Sequence, residues 1–329
     1  MVALIATVLL THAAASLQLE SSSATGTLRV EKTTYAMGTT FSVVLYGSDP
    51  ASMKQAIDAA LDEAHRLDAL LSNYLPESEW SRINRDAAAH PVQVSPELFR
   101  LLSECLEYSR ASAGTFDITV GPLMRAWGFF GGEHRVPSPN EIRKTLEVVG
   151  YQHLQLNARK RTVRFDRPGV EIDPGGVGKG YAVDRMVEIL RVRGFRNALV
   201  AASGSSIFAV GNPPEEPRGW PINIADPSDH RKNAAQVFLK DLSLSTSGSY
   251  EKSFRVAGHR YSHIMDPRRG VPAESAVQVT VIAPRAIDSE VWAKPFFIQG
   301  RAWTAAHKPN FWRVLYCENT PGTVCSWLE

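Results

Sequence analysis

The chain has 329 residues, of which 44% are hydrophobic and 21% are charged, and its formal net charge is +2 at pH 7. This is the composition of a globular protein, and the length suits one large domain or two modest ones. Because the charge is nearly balanced and no basic stripe runs along the sequence, we do not expect nucleic acid as the main partner.

The N-terminus resembles a secretory signal. Residues 2–10 are mostly apolar and are followed by small residues at 13–16, although the usual positive start is missing. We therefore predict a signal peptide over residues 1–18, a mature domain over residues 28–329, and export to the periplasm; an ordinary buried strand is the alternative. No cysteine lies near this segment, so no lipid anchor is expected, and no later apolar run is long enough to span a bilayer.

Four helices are predicted. Three share one signal, a side chain able to cap a helix followed by proline at the first helical position. These starts are Asp49-Pro50, Ser95-Pro96 and Ser138-Pro139. Glu141 adds the spacing of a capping box to the third. The fourth helix is predicted over residues 181–193, where apolar residues recur at helical spacing.

Strand-like runs rich in β-branched and aromatic residues are interspersed among the helices. They cover residues 40–46, 162–165, 198–200, 205–210, 237–244 and 277–282. Because no regular strand–helix–strand repeat appears, the pattern favours an α+β protein over a doubly wound sheet. No composition break marks a domain boundary. We therefore predict a single compact domain with mixed or antiparallel sheets flanked by helices.

The three cysteines differ in their surroundings. Cys105 lies on the apolar face of a predicted helix and is expected in the core. Cys317 and Cys325 flank the sequence ENTPGTV, which contains a turn signal at residues 320–322. The two cysteines can face each other across a hairpin, and a disulfide there would suit an exported protein. Two unpaired thiols are the equal alternative.

The stretch with the clearest chemical signal is DPGGVGKGYAVD, residues 173–184. A short strand is predicted before it, over residues 169–172, and the fourth helix follows it. Glycines allow close approach to the backbone, and a helix N-terminus offers N–H groups and a positive dipole end to an anion, to which Lys179 adds a charge. The spacing fits neither the P-loop nor the dinucleotide fingerprint. The loop predicts an anion or phosphate site, with a plain strand-to-helix turn as the alternative.

Six segments in order, including this loop, resemble one family, the FAD:protein FMN transferases, or ApbE-type flavin transferases. The segments are 35–39 (YAMGT), 71–84 (LSNYLPESEWSRIN), 114–129 (GTFDITVGPLMRAWGF), 173–184, 245–254 (STSGSYEKSF) and 261–272 (YSHIMDPRRGVP). Each segment alone is a weak signal, but their shared order is specific. The resemblance covers roughly residues 33–300.

The resemblance implies a T-fold-like flavin transferase fold and a phosphoryl transfer. FAD is the substrate, its pyrophosphate is split with release of AMP, and FMN is joined through its phosphate to a Ser or Thr hydroxyl of an exported or membrane redox protein. Mg²⁺ assists. The protein's task in such a reaction is mainly to position the groups and to neutralise charge.

The resemblance also implies which residues contact the ligand. The implied FAD contacts are Met37, Tyr74, Thr115, Phe116, Asp117, Asp173, Lys179 and Ile264. His263 falls in the family's histidine motif near the phosphates, and we hypothesise that it orients or deprotonates the acceptor hydroxyl, with Lys179 as a catalytic cation. The alternatives are a structural histidine, a core aromatic at Phe116 and a turn-capping carboxylate at Asp117.

Residues 289–300 (SEVWAKPFFIQG) depart from the family at its metal site. The implied ligands are the Gly176 carbonyl, an Asp that falls on Glu290 and a Thr that falls on Lys294. Glutamate keeps a carboxylate, but an ammonium has no lone pair for a cation. In one interpretation Lys294 pairs with Glu290 and replaces part of the metal's charge. In the other Lys294 points away and Mg²⁺ is held by Glu290, carbonyls, waters and phosphates, with Asp288 as a further candidate carboxylate.

Three functions are compatible with these residues. The first is covalent flavinylation of a redox protein, which the retained Asp173, Lys179 and His263 favour. The second is FAD binding without transfer, which the departures at the metal site favour. The third is a simple FAD pyrophosphatase that releases FMN and AMP without a protein acceptor.

Overall fold

The computed structural model describes residues 18–21, 27–320 and 322–329. The predicted signal peptide therefore lies, apart from residue 18, outside the described residues, as does residue 321 of the predicted turn. None of the described helices is both long and apolar enough to cross a membrane.

Helices and strands are interspersed along the chain. The helices are α1 (Pro50–Leu71), α2 (Glu79–Asp86), α3 (Pro96–Ala111), α4 (Gly121–Ala126), α5 (Pro139–Leu146), α6 (Gly178–Val192), α7 (Ala286–Gln299) and α8 (Arg301–His307). The strands are β1 (Gln18–Ser21), β2 (Leu28–Ala36), β3 (Thr39–Gly47), β4 (Val92–Gln93), β5 (Leu154–Asn157), β6 (Thr162–Phe165), β7 (Ala198–Ala202), β8 (Ser206–Val210), β9 (Trp220–Ala225), β10 (Asn233–Leu239), β11 (Leu242–Gly248), β12 (Ser253–Val256), β13 (His259–Ser262), β14 (Met265–Asp266), β15 (Val271–Pro272), β16 (Ala276–Ala283), β17 (Arg313–Glu318) and β18 (Cys325–Leu328).

A nine-stranded sheet organises the molecule, in the order β1-β2-β3-β7-β8-β11-β16-β17-β18. Every neighbouring pair in this order is antiparallel. A three-stranded sheet, β4-β6-β5, and the hairpin of β9 and β10 lie outside it. The prediction of a single compact α+β domain with antiparallel sheets is confirmed.

Helices α1, α6 and α7 cover one face of the large sheet. Apolar residues of α1 and α6 share a core with β2, β3, β7 and β8, while α7 packs mainly on β11 and β16. The hairpin of β9 and β10 covers the opposite face through Trp220, Ile222, Val237 and Leu239. Burial of each of these apolar side chains contributes on the order of 1.5–3 kcal/mol to the stability of the fold. This packing holds α6 and α7 firmly beside the glycine loop.

The predicted helix starts are confirmed by their caps. The Asp49 side chain accepts hydrogen bonds from the N–H groups of Ala51 and Ser52. The Ser95 hydroxyl does the same for Leu98, and Ser138 forms the complete capping box with Glu141. The prediction that Cys105 is a core residue is also confirmed, since it is fully buried.

Two predicted strands were wrong. Residues 237–244 form two strands, because Asp241 has a φ of +52° and ends β10 before β11 begins. Residues 169–172 form no strand. Instead the backbone of Ile172 is satisfied by side chains: its N–H donates to Asn84 and its carbonyl accepts from Asn84 and Trp80.

The fourth helix starts three residues earlier than predicted, at Gly178 rather than at residue 181. Glycine has low helix propensity, which is why the sequence suggested a later start. Here packing decides the residue type, because a Cβ on Gly180 would lie 2.4 Å from the carbonyl oxygen of Ala286. The glycine therefore allows α6 to cross close to the first turn of α7.

The C-terminal hairpin contains a disulfide bond. Cys317 and Cys325 are directly opposite each other in β17 and β18, and their sulfur atoms are bonded. The alternative of two unpaired thiols is therefore wrong.

Helices α6 and α7 cap each other. Asp184 of α6 accepts hydrogen bonds from Ala286 N at 2.7 Å and from Ile287 N at 2.9 Å, at the start of α7. Glu290 of α7 in turn accepts one from Gly180 N at 2.6 Å, at the start of α6. Each carboxylate satisfies N–H groups that a helix start leaves without intrahelical partners. The two carboxylates thus fix the relative position of the two helices.

The Asp184→Ala substitution is expected to lower the free energy of unfolding by about 1–3 kcal/mol, because it leaves two partly buried N–H groups without acceptors. Urea unfolding measures this effect. Asp62→Ala, at an exposed position of α1, is the control and should change stability by less than about 0.5 kcal/mol. Equal stability of the two variants would contradict the capping role.

Candidate functional site

The turn between β2 and β3 brings Met37 to the start of α6. Met37 and Gly38 have φ angles of +52° and +71°, as expected for a two-residue hairpin turn with two left-handed residues. A Cβ on Gly178 would lie 2.9 Å from the Met37 methyl carbon. Gly178 therefore allows Met37, one of the expected ligand contacts, to lie against the first turn of α6.

A buried carboxylate and two ammonium groups form the centre of the site. Lys179 Nζ lies 2.8 Å from Glu290 Oε1, and Lys294 Nζ lies 3.9 Å from the same atom. The Glu290 side chain is only 3% exposed, whereas the Lys179 and Lys294 side chains are 26% and 22% exposed. The carboxylate is thus sealed inside, whereas both lysine side chains are partly exposed.

The anion at the start of α6 is therefore supplied by the protein itself. Glu290 Oε2 takes the N–H of Gly180 and Oε1 pairs with Lys179. This differs from the expectation that the loop amides and Lys179 are all open to an external phosphate.

Lys294 is directed at oxygen atoms from two parts of the chain. Its Nζ donates to the carbonyl oxygen of Gly176 at 3.1 Å and to the carbonyl oxygen of Glu290 at 2.8 Å. It does not point away, so the first of the two interpretations of Lys294 describes the structure. Asp288 is excluded as a further carboxylate of this site, because it pairs with Arg285 and accepts a hydrogen bond from Tyr108.

The residues present do not fit a divalent metal at this position. Two of the three implied ligands, the Gly176 carbonyl and Glu290, already face an ammonium group. The third, Lys294, has only N–H donors and cannot coordinate a cation while protonated. The donor set is therefore that of an ammonium site.

The charges of the cluster depend on one another. Burial raises the pKa of Glu290, but the Lys179 and Lys294 ammonium groups and the Gly180 N–H outweigh it and hold the pKa below its ordinary value. Burial lowers the pKa of Lys294 to about 8, with Glu290 opposing the shift and Lys179 adding to it. At neutral pH the cluster thus holds one negative and two positive charges.

His263 lies near these charges and is held in one tautomer. Its Nδ1 is 3.1 Å from the carbonyl oxygen of Lys252. Because a carbonyl only accepts, Nδ1 carries the hydrogen and Nε2 keeps its lone pair. A neutral imidazole in this tautomer presents Nε2 as a base.

The pKa of His263 falls to about 4. Burial is the largest cause, and the hydrogen bond to the Lys252 carbonyl opposes it. The ammonium groups of Lys252, Lys179 and Lys294 lower the pKa further. His263 is therefore neutral at physiological pH and within electrostatic range of both lysines of the cluster.

Asp173 is the first residue of the glycine loop. Its Oδ1 accepts from Gly175 N at 2.7 Å and its Oδ2 accepts from the Asn73 amide at 3.1 Å. Burial raises the pKa of Asp173, which the Gly175 N–H opposes. The Lys252 ammonium group also lowers the pKa of Asp173, as it lowers that of His263.

Four of the expected FAD contacts have buried side chains. Thr115 donates to the Ser112 carbonyl, and Asp117 accepts from the backbone N–H groups of Thr119 and Tyr151. Phe116 is 4% exposed and Ile264 is also 4% exposed. Asp117 is thus a turn cap and Phe116 a core aromatic, although the Phe116 ring would lie 3.3 Å from a Cβ on Gly176 and so supports the loop.

An exposed aromatic pair lies at the outer side of the site. The Tyr74 ring, 77% exposed, lies 5.0 Å from the Phe130 ring. Arg125 stacks over Phe130 at 4.3 Å and forms a two-point ion pair with Glu171. The Tyr74 ring is therefore largely open to solvent.

Sequence reasoning missed Asn73, Lys252 and Asp184. Asn73 and Lys252 lie inside quoted motifs, at 71–84 and 245–254, so their location was a signal that could have been used. Asp184 ends the glycine motif itself. Its role as the cap of α7 depends on a contact 102 positions along the chain, which the sequence does not reveal.

The sequence is similar to those of known proteins. The sequence model of the ApbE family matches residues 37–311. Two curated relatives carry the name FAD:protein FMN transferase. The protein from Salmonella typhimurium is 34% identical over 275 residues, which is 80% of this chain and 77% of the relative. The protein from Escherichia coli K12 is 33% identical, over 80% of this chain and 76% of the relative.

Solved structures give the same result. The ApbE protein from Thermotoga maritima superposes with a TM-score of 0.84 at 30% identity, covering 92% of this chain and 97% of its own. The flavin transferase ApbE from Vibrio cholerae has a TM-score of 0.78 at 26% identity, covering 94% of this chain and 97% of its own.

Proposed function

This chain belongs to the ApbE family, and on that premise we propose that it is an FAD:protein FMN transferase. It takes FAD, releases AMP, and leaves FMN attached through its phosphate to a Ser or Thr hydroxyl of a redox protein. The observation that carries the proposal is the cluster of Lys179, Lys294 and Glu290, with His263 within electrostatic range of both lysines. It combines accessible positive charge with a base, the two requirements of phosphoryl transfer to a hydroxyl.

The step balances as follows. The acceptor hydroxyl oxygen attacks the phosphorus on the FMN side of FAD, and its proton goes to His263 Nε2. The bond from that phosphorus to the bridging oxygen breaks, and AMP leaves with the electron pair. Lys179 and Lys294 face the negative charge that builds up on the phosphate oxygens, which supports positioning and charge neutralisation by the protein itself. Since the donor set does not fit a divalent ion, no step is assigned to Mg²⁺.

FAD is held at its central pyrophosphate and at its planar rings in this proposal. The phosphates lie on the two ammonium groups, and the planar rings lie against Tyr74 and near Met37, at the outer side of the loop. Tyr74 supports this placement because it is exposed and backed by Phe130. At the start of the loop, Asp173 is held by its contact with Asn73.

We further propose that the protein is exported, with the periplasm as its compartment, and that its target is an exported or membrane-associated redox protein. The apolar start of the sequence supports export. The disulfide of Cys317 and Cys325 also supports it, because such bonds persist in oxidising compartments.

The function is tested with extracts of cells of the parent organism from which the gene has been deleted. Purified protein and FAD are added, and proteins are separated under denaturing conditions and examined for flavin fluorescence. The proposal expects a fluorescent band that needs both additions, with a Ser or Thr peptide heavier by one FMN less one water. Free FMN and AMP without a labelled protein would indicate a pyrophosphatase, and intact FAD would indicate a binding protein.

The pH dependence of transfer follows from His263. Because the base must be neutral and its pKa is about 4, kcat/KM for FAD should be constant from pH 7 down to about pH 5. It should then fall roughly tenfold per pH unit below the pKa. Transfer rates in overlapping buffers measure this profile, with circular dichroism at each pH as a check of folding. A midpoint near the ordinary histidine value of about 6.5 would contradict a desolvated base.

A further inference from the structure

We propose that the ε-ammonium group of Lys294 is a built-in cation that replaces a divalent metal in this site. That this ammonium group binds the pyrophosphate of FAD rests on the proposed function. The exclusion of a metal rests on the geometry alone, so the two parts can fail separately.

The first argument is the set of atoms around Lys294 Nζ. Three oxygen atoms face it: the carbonyl oxygens of Gly176 and Glu290, at 3.1 Å and 2.8 Å, and Glu290 Oε1, at 3.9 Å. Carbonyl and carboxylate oxygens are ligands that Mg²⁺ accepts, and here they face an ammonium group. The chain thus supplies the cation for its own oxygen-lined site.

The second argument is electrostatic. A magnesium ion bound to the Gly176 carbonyl at ~2.1 Å would lie within about 5 Å of Lys294 Nζ, since that nitrogen is 3.1 Å from the same oxygen. An ion on Glu290 Oε1 would similarly lie within about 5 Å of Lys179 Nζ. Two like charges at this range strongly disfavour a divalent ion.

The third argument is that Lys294 is held in place. It follows Glu290 by one turn of α7; its hydrogen bond to the Gly176 carbonyl joins α7 to the glycine loop, and its hydrogen bond to the Glu290 carbonyl lies within α7. If the side chain turned outwards, the Gly176 carbonyl oxygen would lose its donor in a partly buried place, which is unfavourable. The ammonium has three N–H donors, of which two are used, so one remains for a phosphate oxygen of the ligand.

The proposal is tested by binding of Mn²⁺ to the protein without any reaction. Free Mn²⁺ gives a six-line electron paramagnetic resonance spectrum that weakens on binding, and titrations are run with MnCl₂ alone and with FAD present. Wild-type protein should bind no stoichiometric Mn²⁺ below about 1 mM. Lys294→Thr should bind one Mn²⁺ on the order of 100-fold more tightly than wild type, because one like charge is removed and one oxygen ligand is added.

Two further variants separate the effect of removing the charge from the effect of adding an oxygen ligand. Lys294→Met removes the charge without adding a ligand and should bind Mn²⁺ more weakly than Lys294→Thr. Lys240→Thr, at an exposed position after β10, makes the same chemical change elsewhere and should behave as wild type. Stoichiometric micromolar Mn²⁺ binding by wild-type protein overturns the proposal even if no variant folds. Equal Mn²⁺ affinity of wild type and a folded Lys294→Thr overturns it as well.

Discussion

Replacement of His263 by alanine is expected to lower the rate of FMN transfer by about 10²–10⁴-fold, the usual contribution of a general base. The imidazole is expected to accept the proton of the attacking hydroxyl through Nε2, since Nδ1 is bonded to the Lys252 carbonyl. Alanine offers no base there. Transfer is measured as covalent flavin on the acceptor protein, and FAD affinity is measured separately by quenching of flavin fluorescence.

His259→Ala is the matched control for this experiment. His259 lies four positions earlier, is half exposed and pairs with Glu274 on the surface, so its loss should leave transfer within about twofold of wild type. If His263→Ala transfers FMN as fast as His259→Ala, His263 is a structural histidine. If its FAD affinity is lost together with transfer, its role is in binding.

The Glu290→Gln substitution is expected to lower the free energy of unfolding by about 3 kcal/mol. Glu290 is 2% exposed and balances two ammonium groups. Removing one partner of a buried ion pair costs about 3–5 kcal/mol, and the lower end applies because Lys179 and Lys294 are partly accessible to solvent. The glutamine can still accept the N–H of Gly180, so the loss reports mainly the charge. Urea unfolding measures it.

Two variants accompany Glu290→Gln. Glu188→Gln breaks the exposed pair of Glu188 with Arg185 on α6 and should cost less than about 1 kcal/mol. The double variant Glu290→Gln with Lys294→Met should be more stable than Glu290→Gln alone, because one uncompensated ammonium is removed. A stability of Glu290→Gln equal to that of Glu188→Gln would show that Glu290 does not carry the charge balance of the cluster.

Much of the fold followed from local signals. The starts of α1, α3 and α5 were marked by a capping residue and a proline, and these signals depend only on neighbouring residues. The strand over residues 237–244 was predicted wrongly because the apolar pattern continues across Asp241, while the chain passes from the β9–β10 hairpin into the central sheet. Local pattern does not carry that information.

The contacts within the site were harder to predict, because they also join residues that are far apart in the sequence. The motifs placed Lys179, His263 and Glu290 in one site, but they could not show that Glu290 occupies the start of α6. That contact joins residues 110 positions apart. Thr115 and Asp117 were predicted as ligand contacts, and the structure shows that their side chains also hold the turn before α4. Sequence similarity marks the neighbourhood of a site, and the packing decides which side chain faces the ligand.

Lys294 is the residue for which the structure changed the interpretation most. The sequence left open whether it points away or joins Glu290, because both arrangements are compatible with a lysine one turn after a glutamate. The hydrogen bond to the Gly176 carbonyl decides between them. The replacement of the family's Thr by Lys294 therefore bears on how the site neutralises charge.

If the ammonium group of Lys294 takes the place of a metal, FMN transfer by this chain needs no divalent ion. The most direct measurement is the rate at which the acceptor protein gains the mass of one FMN less one water, in EDTA and in excess Mg²⁺. Equal rates in the two conditions are predicted, together with a loss of transfer for Lys294→Met. Transfer that stops in EDTA and returns with Mg²⁺ would contradict the claim.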